Sequence, residues 1–504
     1  MGEDIKTYGE CLERLYKTHS VKLGLESTKL LSESFGNPYN DYKTIHVAGT
    51  NGKGSVCYKI YISLKLRKYK VGIFTSPHIF SLRERIVVND NPISEKDLIC
   101  LVNKVLRKSK KLNLSPTFFE IITIVAFLHF FNEKVDYAVI ETGIGGRLDA
   151  TNILNKPELV IITSIGYDHE YLLGYKLKNI CNEKIGIFKE NAKVLIGPSV
   201  SIYKNVFEKA KELTCTIQAV SPEPRGETYN EENTRIATEA LKMLNINIDT
   251  FLKSIITIKP PLRVQYLAKE QIQHVKKKYT NINNEQLDVF PPYPHAVILD
   301  VGHNGTAIDR LCRDINYFHR DISIRVCISL TKPRSVNIFQ PLIAQFPGVL
   351  KHVFSPLLPP PQQDIFYLPS VNMRTYDFDE VVDMMDNDDR VSSELKGHIL
   401  SSAEKVNQWL LHEMGEKMDC RKDAHKLHAR RDFYERAISN LKLAKKCSGE
   451  FGKKKKKKKK KHLHRSVLYY CSYGTPSSTR KCRGNVPEIE CITDLHLRCE
   501  RQLH

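Results

Sequence analysis

Thr44-Ile-His-Val-Ala48-Gly49-Thr50-Asn51-Gly52-Lys53-Gly54-Ser55 carries a short β-branched run straight into a glycine-rich turn, and a helical stretch over 56–65 follows. Glycines let such a turn aim its backbone N–H groups at phosphate oxygens, the helix N-terminus adds the positive end of its dipole, and Lys53 supplies a point charge. Strand, loop, lysine and helix in this order make a phosphate-binding loop, which a purely structural glycine turn does not account for. It departs from the strict GxxxxGK[ST] spacing: Val47 stands at the first glycine position, and the hydroxyl comes two residues after the lysine, at Ser55.

Outward from this loop, residues 71–74, 138–141, 159–164 and 193–197 read, like 44–47, as buried strands, most of them separated by enough chain for crossover helices. That pattern predicts an α/β architecture with a mainly parallel sheet. A second strand-and-helix series begins at 296–300 and continues at 322–329 and 352–355. The expected junction lies at 258–261, where Pro260-Pro261 would break any helix. The division is therefore 1–258, 259–446 with surface insertions at 268–294 and 357–389, and a basic tail over 447–504.

At 504 residues the chain is long enough for sizeable cores, and 41% hydrophobic with 27% charged residues excludes wholesale disorder and a coiled coil. The longest mainly apolar run, 121–131, falls short of the roughly 20 residues that span a bilayer. The first 20 residues show neither a signal nor a transit pattern, so a cytoplasmic protein is expected. Half of the net charge of +20 sits in 447–504, which holds 15 Lys/Arg against 5 Asp/Glu and includes nine consecutive lysines, 453–461. That block is either a nucleic-acid, anionic-membrane or nuclear-import patch, or a low-complexity appendage such as an adenine run translated out of frame. Eight of the 13 cysteines lie upstream of the tail without a CxxC, as reduced thiols do.

Two more loops follow strands. Glu141-Thr-Gly-Ile-Gly-Gly-Arg147-Leu148-Asp149-Ala150-Thr-Asn152 begins at a strand end, and open α/β sheets bind ligands at the carboxyl ends of their strands, so Glu141 is set to meet a nucleotide-bound Mg²⁺. Ser164-Ile-Gly-Tyr-Asp168-His169 brings His169 to the same edge, as a metal ligand or as a capping residue.

With 49–55, 141–152 and 168–174 in this order, the sequence resembles the folylpolyglutamate synthase and dihydrofolate synthase family of the Mur ligase superfamily. Thr75-Ser76-Pro77-His78, Arg83-Glu84-Arg85, Thr117-Phe118-Phe119-Glu120, Glu183-Lys184-Ile185-Gly186, Asn230 to Asn233, Pro261-Leu262-Arg263 and Asp300-Val301-Gly302-His303-Asn304 extend the match over 8–445. The resemblance implies a Mur-ligase-like P-loop domain and a smaller Rossmann-like C-terminal domain. It implies an ATP-dependent ligase that joins L-glutamate to dihydropteroate or to the γ-carboxylate of folates through an acyl phosphate.

The same resemblance implies the residue roles. Gly52, Lys53, Gly54 and Ser55 hold the ATP phosphates. Ser76 and Glu141 bind one Mg²⁺ and His169 a second, with Ser55 a further candidate. Lys184 is carbamylated, since a bare ammonium beside Mg²⁺ would be repelled whereas a carbamate is an oxygen ligand. Arg263 and Asp300 reach the nucleotide from across the cleft, with Asn233 nearby. Phe118, Phe119, Glu120, Leu148, Asp149 and Ala150 border the pterin-bearing substrate, although the two phenylalanines also suit an ordinary core. His303 and Asn304 are either site residues or helix caps. A monomer binding only small molecules, with neither nucleic acid nor membrane as partner, is expected.

The sequence also departs from the family pattern. Leu262 replaces the usual glycine of Pro-Gly-Arg, Gly302 the usual alanine, and the final apolar strand is matched only by Val467-Leu-Tyr-Tyr-Cys-Ser-Tyr-Gly474-Thr475, beyond the lysines. Two rival readings stay open: a Mur-type ligase acting on a UDP-linked cell-wall precursor, and a non-enzymatic nucleic-acid or membrane-surface binder on a P-loop scaffold.

Overall fold

The computed structural model describes residues 4–18, 22–78, 81–224, 226–267, 297–319, 323–328, 335–346, 350–354, 390–393, 396 and 465–470. The expected insertions at 268–294 and 357–389, the lysines 453–461 and most of the tail lie outside the described residues.

Thirteen strands form two sheets among the described residues. The first holds β1 (Lys43–Ala48), β2 (Val71–Phe74), β3 (Ile86–Val88), β4 (Asn91–Pro92), β5 (Tyr137–Glu141), β6 (Leu159–Ile162), β7 (Lys193–Ile196) and β8 (Thr216–Ala219), in the order β4-β3-β2-β5-β1-β6-β7-β8. Pairing is parallel from β2 to β8, and only the β4-β3-β2 edge is antiparallel. Central strands are mostly apolar because both faces are covered, with β1 burying the polar Thr44 and His46 within its run. In β5, Ala138 and Ile140 pack with the helices Glu95–Lys111 and Phe118–Asn132, while Tyr137 and Val139 point into the opposite cluster with the helices Lys53–Leu66 and Tyr229–Met243. The helix Phe118–Asn132 is apolar on nearly every side because it is buried on nearly every side.

The second sheet holds β9 (Gln265–Tyr266), β10 (Val297–Asp300), β11 (Ser323–Ile328), β12 (Leu350–Phe354) and β13 (Arg465–Tyr470), in the order β12-β11-β13-β10-β9. All pairs are parallel except β9 with β10. The C-terminal apolar run thus enters between β10 and β11. The helix Gly305–Phe318 follows β10 and buries Ala307, Ile308, Leu311, Cys312 and Ile315, a one-sided stripe at helical spacing.

The chain crosses between the sheets after the short helix Thr250–Ile255, and the crossing is tethered. Lys59, on the helix that follows the glycine loop, has no exposed surface, and its Nζ donates to Ile256 O at 2.6 Å and Ile258 O at 3.0 Å. Burial, with Lys259 adding to it, lowers its pKa to about 8. Asn230 Nδ2 donates to Thr257 O at 2.7 Å. The helices that carry Lys53 and Asn233 therefore both hold the strap from which Arg263 emerges. No helix among the described residues is long and apolar enough to cross a membrane.

Candidate active site

β1 delivers the glycine loop at the carboxyl edge of the first sheet, and the end of β6 clamps it. Thr163 Oγ1 and Ser164 Oγ donate to Asn51 O at 2.6 and 2.9 Å, and Thr50 Oγ1 donates to Gly166 O at 3.0 Å. Gly52 is the N-cap residue of the helix Lys53–Leu66 at φ +85°, and a Cβ there would lie 2.4 Å from Asn233 Oδ1. Conformation and space both require glycine.

Gly52, Lys53, Gly54, Ser55, Ser76, Glu141 and Asn233 face Arg263 and Asp300 across one open cavity between the two sheets. Tyr229, Lys259 and Asp314 line the same cavity without having been singled out in the sequence. Thr228 and Glu231 form a capping box that marks the helix start beside Tyr229, so a signal for that residue exists. Asp314 lies inside a helix and carries no local signal.

Arg263 is brought to the cavity by a strained turn. Leu262 adopts φ +54° and Val264 φ +48°, conformations that cost a non-glycine residue about 1–2 kcal/mol. Leu262 thus keeps the backbone that the family's glycine would take freely. The turn is held by Leu262 N donating to Gln265 Oε1 at 2.9 Å and by Val264 N donating to Asp300 Oδ2 at 2.8 Å. Asp300 Oδ1 accepts from Gly302 N at 2.6 Å, so this carboxylate braces the loop it faces.

Glu141 is buried at the end of β5, and its Oε2 accepts from Ser76 N at 3.0 Å. Burial raises its pKa, against the opposing pull of Lys53 and the Ser76 N–H. A Cβ at Gly54 would lie 3.4 Å from Glu141 Oε2, which brings the carboxylate against the phosphate loop. With the hydroxyls of Ser55 and Ser76 on the same cavity, the donors are hard oxygens around one desolvated carboxylate. No group of three or more His, Cys, Asp or Glu side chains able to hold a metal occurs among the described residues. The set therefore fits Mg²⁺, which takes one or two carboxylates and fills its shell with water and substrate phosphates, and does not resemble an all-protein cage.

Lys184 is buried behind the loop, and its Nζ donates to Gly49 O at 2.9 Å. Lys53 Nζ donates to the same oxygen at 2.9 Å and to Thr50 O at 3.2 Å. Burial and then the neighbouring Lys53 lower the Lys184 pKa to about 7. His169, at φ +50° ahead of the short helix Glu170–Leu173, does not line the cavity and lies 3.8 Å from Asp168. Asp168 is shared: His303 approaches its other oxygen at 3.5 Å and Asn304 Nδ2 donates to it at 3.1 Å. Asn304 Oδ1 caps the helix Gly305–Phe318 at Ala307 N, and its Nδ2 donates to Asn51 Oδ1 at 2.9 Å, so Asn304 is both a cap and a bridge to the phosphate loop.

The residues that the resemblance assigns to the pterin-bearing substrate do not line this cavity. Phe118 is buried, stacked on Tyr16 at 5.6 Å with the Arg85 guanidinium 5.2 Å from its ring centroid. Phe119 covers Gly143, where a Cβ would lie 2.6 Å from its ring. Glu120 caps its own helix, accepting from Thr117 N at 2.7 Å, and takes the Thr28 hydroxyl at 3.2 Å. Asp149 accepts from Ile144 N, Thr151 N and Thr151 Oγ1 at 2.9, 3.0 and 2.6 Å, so both its oxygens brace the loop. Leu148 is half-buried and Ala150 buried beside it.

Residues 47–258 match the Mur ligase middle domain. A dihydrofolate synthase/folylpolyglutamate synthase of Bacillus subtilis is 32% identical over 335 residues, 62% of this chain and 77% of its own length. The folylpolyglutamate synthase of Thermotoga maritima superposes with a TM-score of 0.57 at 25% identity, covering 75% of this chain and 86% of that one. A bifunctional folylpolyglutamate synthase/dihydrofolate synthase solved with Mn, AMPPNP and L-glutamate bound shares the fold, with a TM-score of 0.59 at 22% identity over 76% of this chain and 88% of that one.

Proposed function

The chain belongs to the dihydrofolate synthase/folylpolyglutamate synthase family of Mur-type ligases, and from that premise we propose how its residues divide the work of ATP-dependent glutamate ligation to dihydropteroate and to folates. The observation that carries the reading is the convergence of Gly52 to Ser55, Ser76, Glu141, Asn233, Arg263 and Asp300, from elements around both sheets, on one cavity. Residues 1–258 act as the ATP-binding unit and 259–446 as the glutamate-ligase unit.

The backbone N–H groups of the glycine loop and the Lys53 ammonium take the triphosphate. Arg263 meets the charge that grows on the transferring phosphoryl group, as an arginine finger does. The substrate carboxylate oxygen attacks the γ-phosphorus and the bond to the β-phosphate oxygen breaks, giving an acyl phosphate and ADP. The amine of L-glutamate then attacks the acyl carbon, phosphate leaves, and the nitrogen loses a proton. Glu141, Ser76 and Ser55 would hold a Mg²⁺, which when bound would screen the triphosphate and polarise the γ-phosphate. Everything else is positioning, with no covalent enzyme nucleophile. In this proposal the enzyme is a cytoplasmic monomer; among the described residues Cys11, Cys57, Cys100, Cys181, Cys215 and Cys312 are free thiols, which suits a reducing compartment.

The test is product analysis with ATP and L-glutamate, using dihydropteroate, tetrahydrofolate and a UDP-linked sugar acid side by side. Glutamylated pterin products with matched release of ADP and phosphate are expected. Product from the sugar acid alone overturns the reading.

Lys184 supplies a carbamate. An amine whose pKa is about 7 is substantially unprotonated near neutrality, and the free amine is the form that attacks CO₂, losing a proton to give an anion. With ¹³C-labelled bicarbonate the wild type should give a carbamate resonance that Lys184→Ala lacks. That signal should shrink as pH falls below about 7 and the amine protonates. A resonance equal in both proteins removes the assignment.

A further inference from the structure

Arg310 lies one and a half turns into the helix Gly305–Phe318 of the second sheet, yet its contacts are mostly with the first domain. Its Nη1 donates to Glu232 Oε2 at 3.2 Å, its Nη2 to Glu227 O, and its guanidinium stands 5.3 Å from the centroid of the Tyr229 ring. On its own helix, Asp314 approaches its Nε at 3.9 Å and accepts from Tyr229 N at 3.2 Å. The pair is largely removed from water, with side-chain exposures of 25% for Arg310 and 14% for Glu232. Glu227 is held in turn by Arg235, which donates to both of its oxygens at 2.8 Å.

Tyr229 and Asn233, on the helix that Arg310 grips, line the nucleotide cavity, and Asp300 leads into the helix that carries Arg310. Arg310 does not line it. We propose that Arg310 is a positioning residue, a latch that holds the two walls of the nucleotide cavity at binding distance. The proposal rests on the cavity being the ATP site.

The physical consequence concerns affinity. A ligand that binds only the apposed arrangement has an apparent affinity reduced by the fraction of molecules in it, so a latch that raises that fraction tightens ATP binding without touching ATP. Removing one partner of a desolvated ion pair also leaves the other buried and uncompensated. Without Arg310, Glu232 keeps its burial and its repulsion from Glu227 with no counter-charge arriving from the opposite helix, so the apposed arrangement loses the contact that favours it.

The test compares wild type with Arg310→Met and Glu232→Gln, measuring affinity for a non-hydrolysable ATP analogue by calorimetry and the steady-state constants for ATP. We expect about a tenfold weaker Kd and higher KM for ATP with kcat within about twofold. Arg310→Lys should fall between, since it keeps the charge and loses the fork. A role in folding alone would lower kcat and leave KM unchanged, and that result, or unchanged affinity in either variant, overturns the latch. If Arg310→Met is insoluble, Glu232→Gln decides. A wild type that fails to bind the analogue overturns the nucleotide-site reading and the latch with it.

Discussion

Lys53→Ala is expected to lose at least about 10²-fold in ATP-dependent glutamate ligation, the scale set by removing one preorganised charge from a transition state that gathers negative charge. Its melting temperature should stay near that of the wild type. The Lys53 ammonium is folded back on carbonyls of its own loop, where it shares Gly49 O with Lys184. Deleting it forfeits two local hydrogen bonds within one loop and leaves the buried core untouched, and it relieves the repulsion that Lys53 exerts on the protonated form of Lys184. Lys53 is one of the causes of the depressed Lys184 pKa. The variant should therefore hold Lys184 more fully protonated and carry less carbamate at neutral pH, a second readout of the same geometry. Ligation near the wild-type rate would remove the phosphate-loop assignment.

What the sequence conveys follows from how each element is stabilised. β1, β2, β5, β6 and β7 are legible because strands buried on both faces are rich in β-branched and other apolar residues, and the loops after β1, β5 and β6 because ligand chemistry at a strand end needs particular residues in close succession. β4, the dipeptide Asn91–Pro92, and β9, the dipeptide Gln265–Tyr266, carry no pattern, since pairing at a sheet edge sets them and their side chains do not. Residues that work across the cleft are the least legible. Lys59 and Arg310 read as solvated helix positions until the carbonyls of 256 and 258 and the carboxylate of Glu232 arrive from other elements. Asp149 and Glu120, assigned by resemblance to the substrate, have their oxygens engaged in bracing the chain, a fact that spacing alone does not convey.

Deleting 465–470 should abolish ligation and collapse the second sheet, whereas deleting the lysines 453–461 should leave both nearly unchanged. β13 enters the sheet between β10 and β11, paired over four residues on one side and five on the other. At about 0.5–1.5 kcal/mol net for each backbone hydrogen bond, losing both ladders removes several kcal/mol, comparable with the whole stability of a domain. The loss is aimed at function, because β10 ends in Asp300, whose oxygens hold the turn that presents Arg263. A like-charged run makes no packed core, and shortening a long connection changes its closure entropy by well under about 1 kcal/mol. The lysine deletion should therefore keep its ligation rate within about twofold and its melting temperature within about 2 °C of the wild type. Leu468→Pro tests the same strand without altering the connection, since proline removes a ladder donor opposite Ile298 and Val326. Equal activity and equal melting temperature in the strand deletion and the lysine deletion would mean that β10 and β11 close on each other without β13.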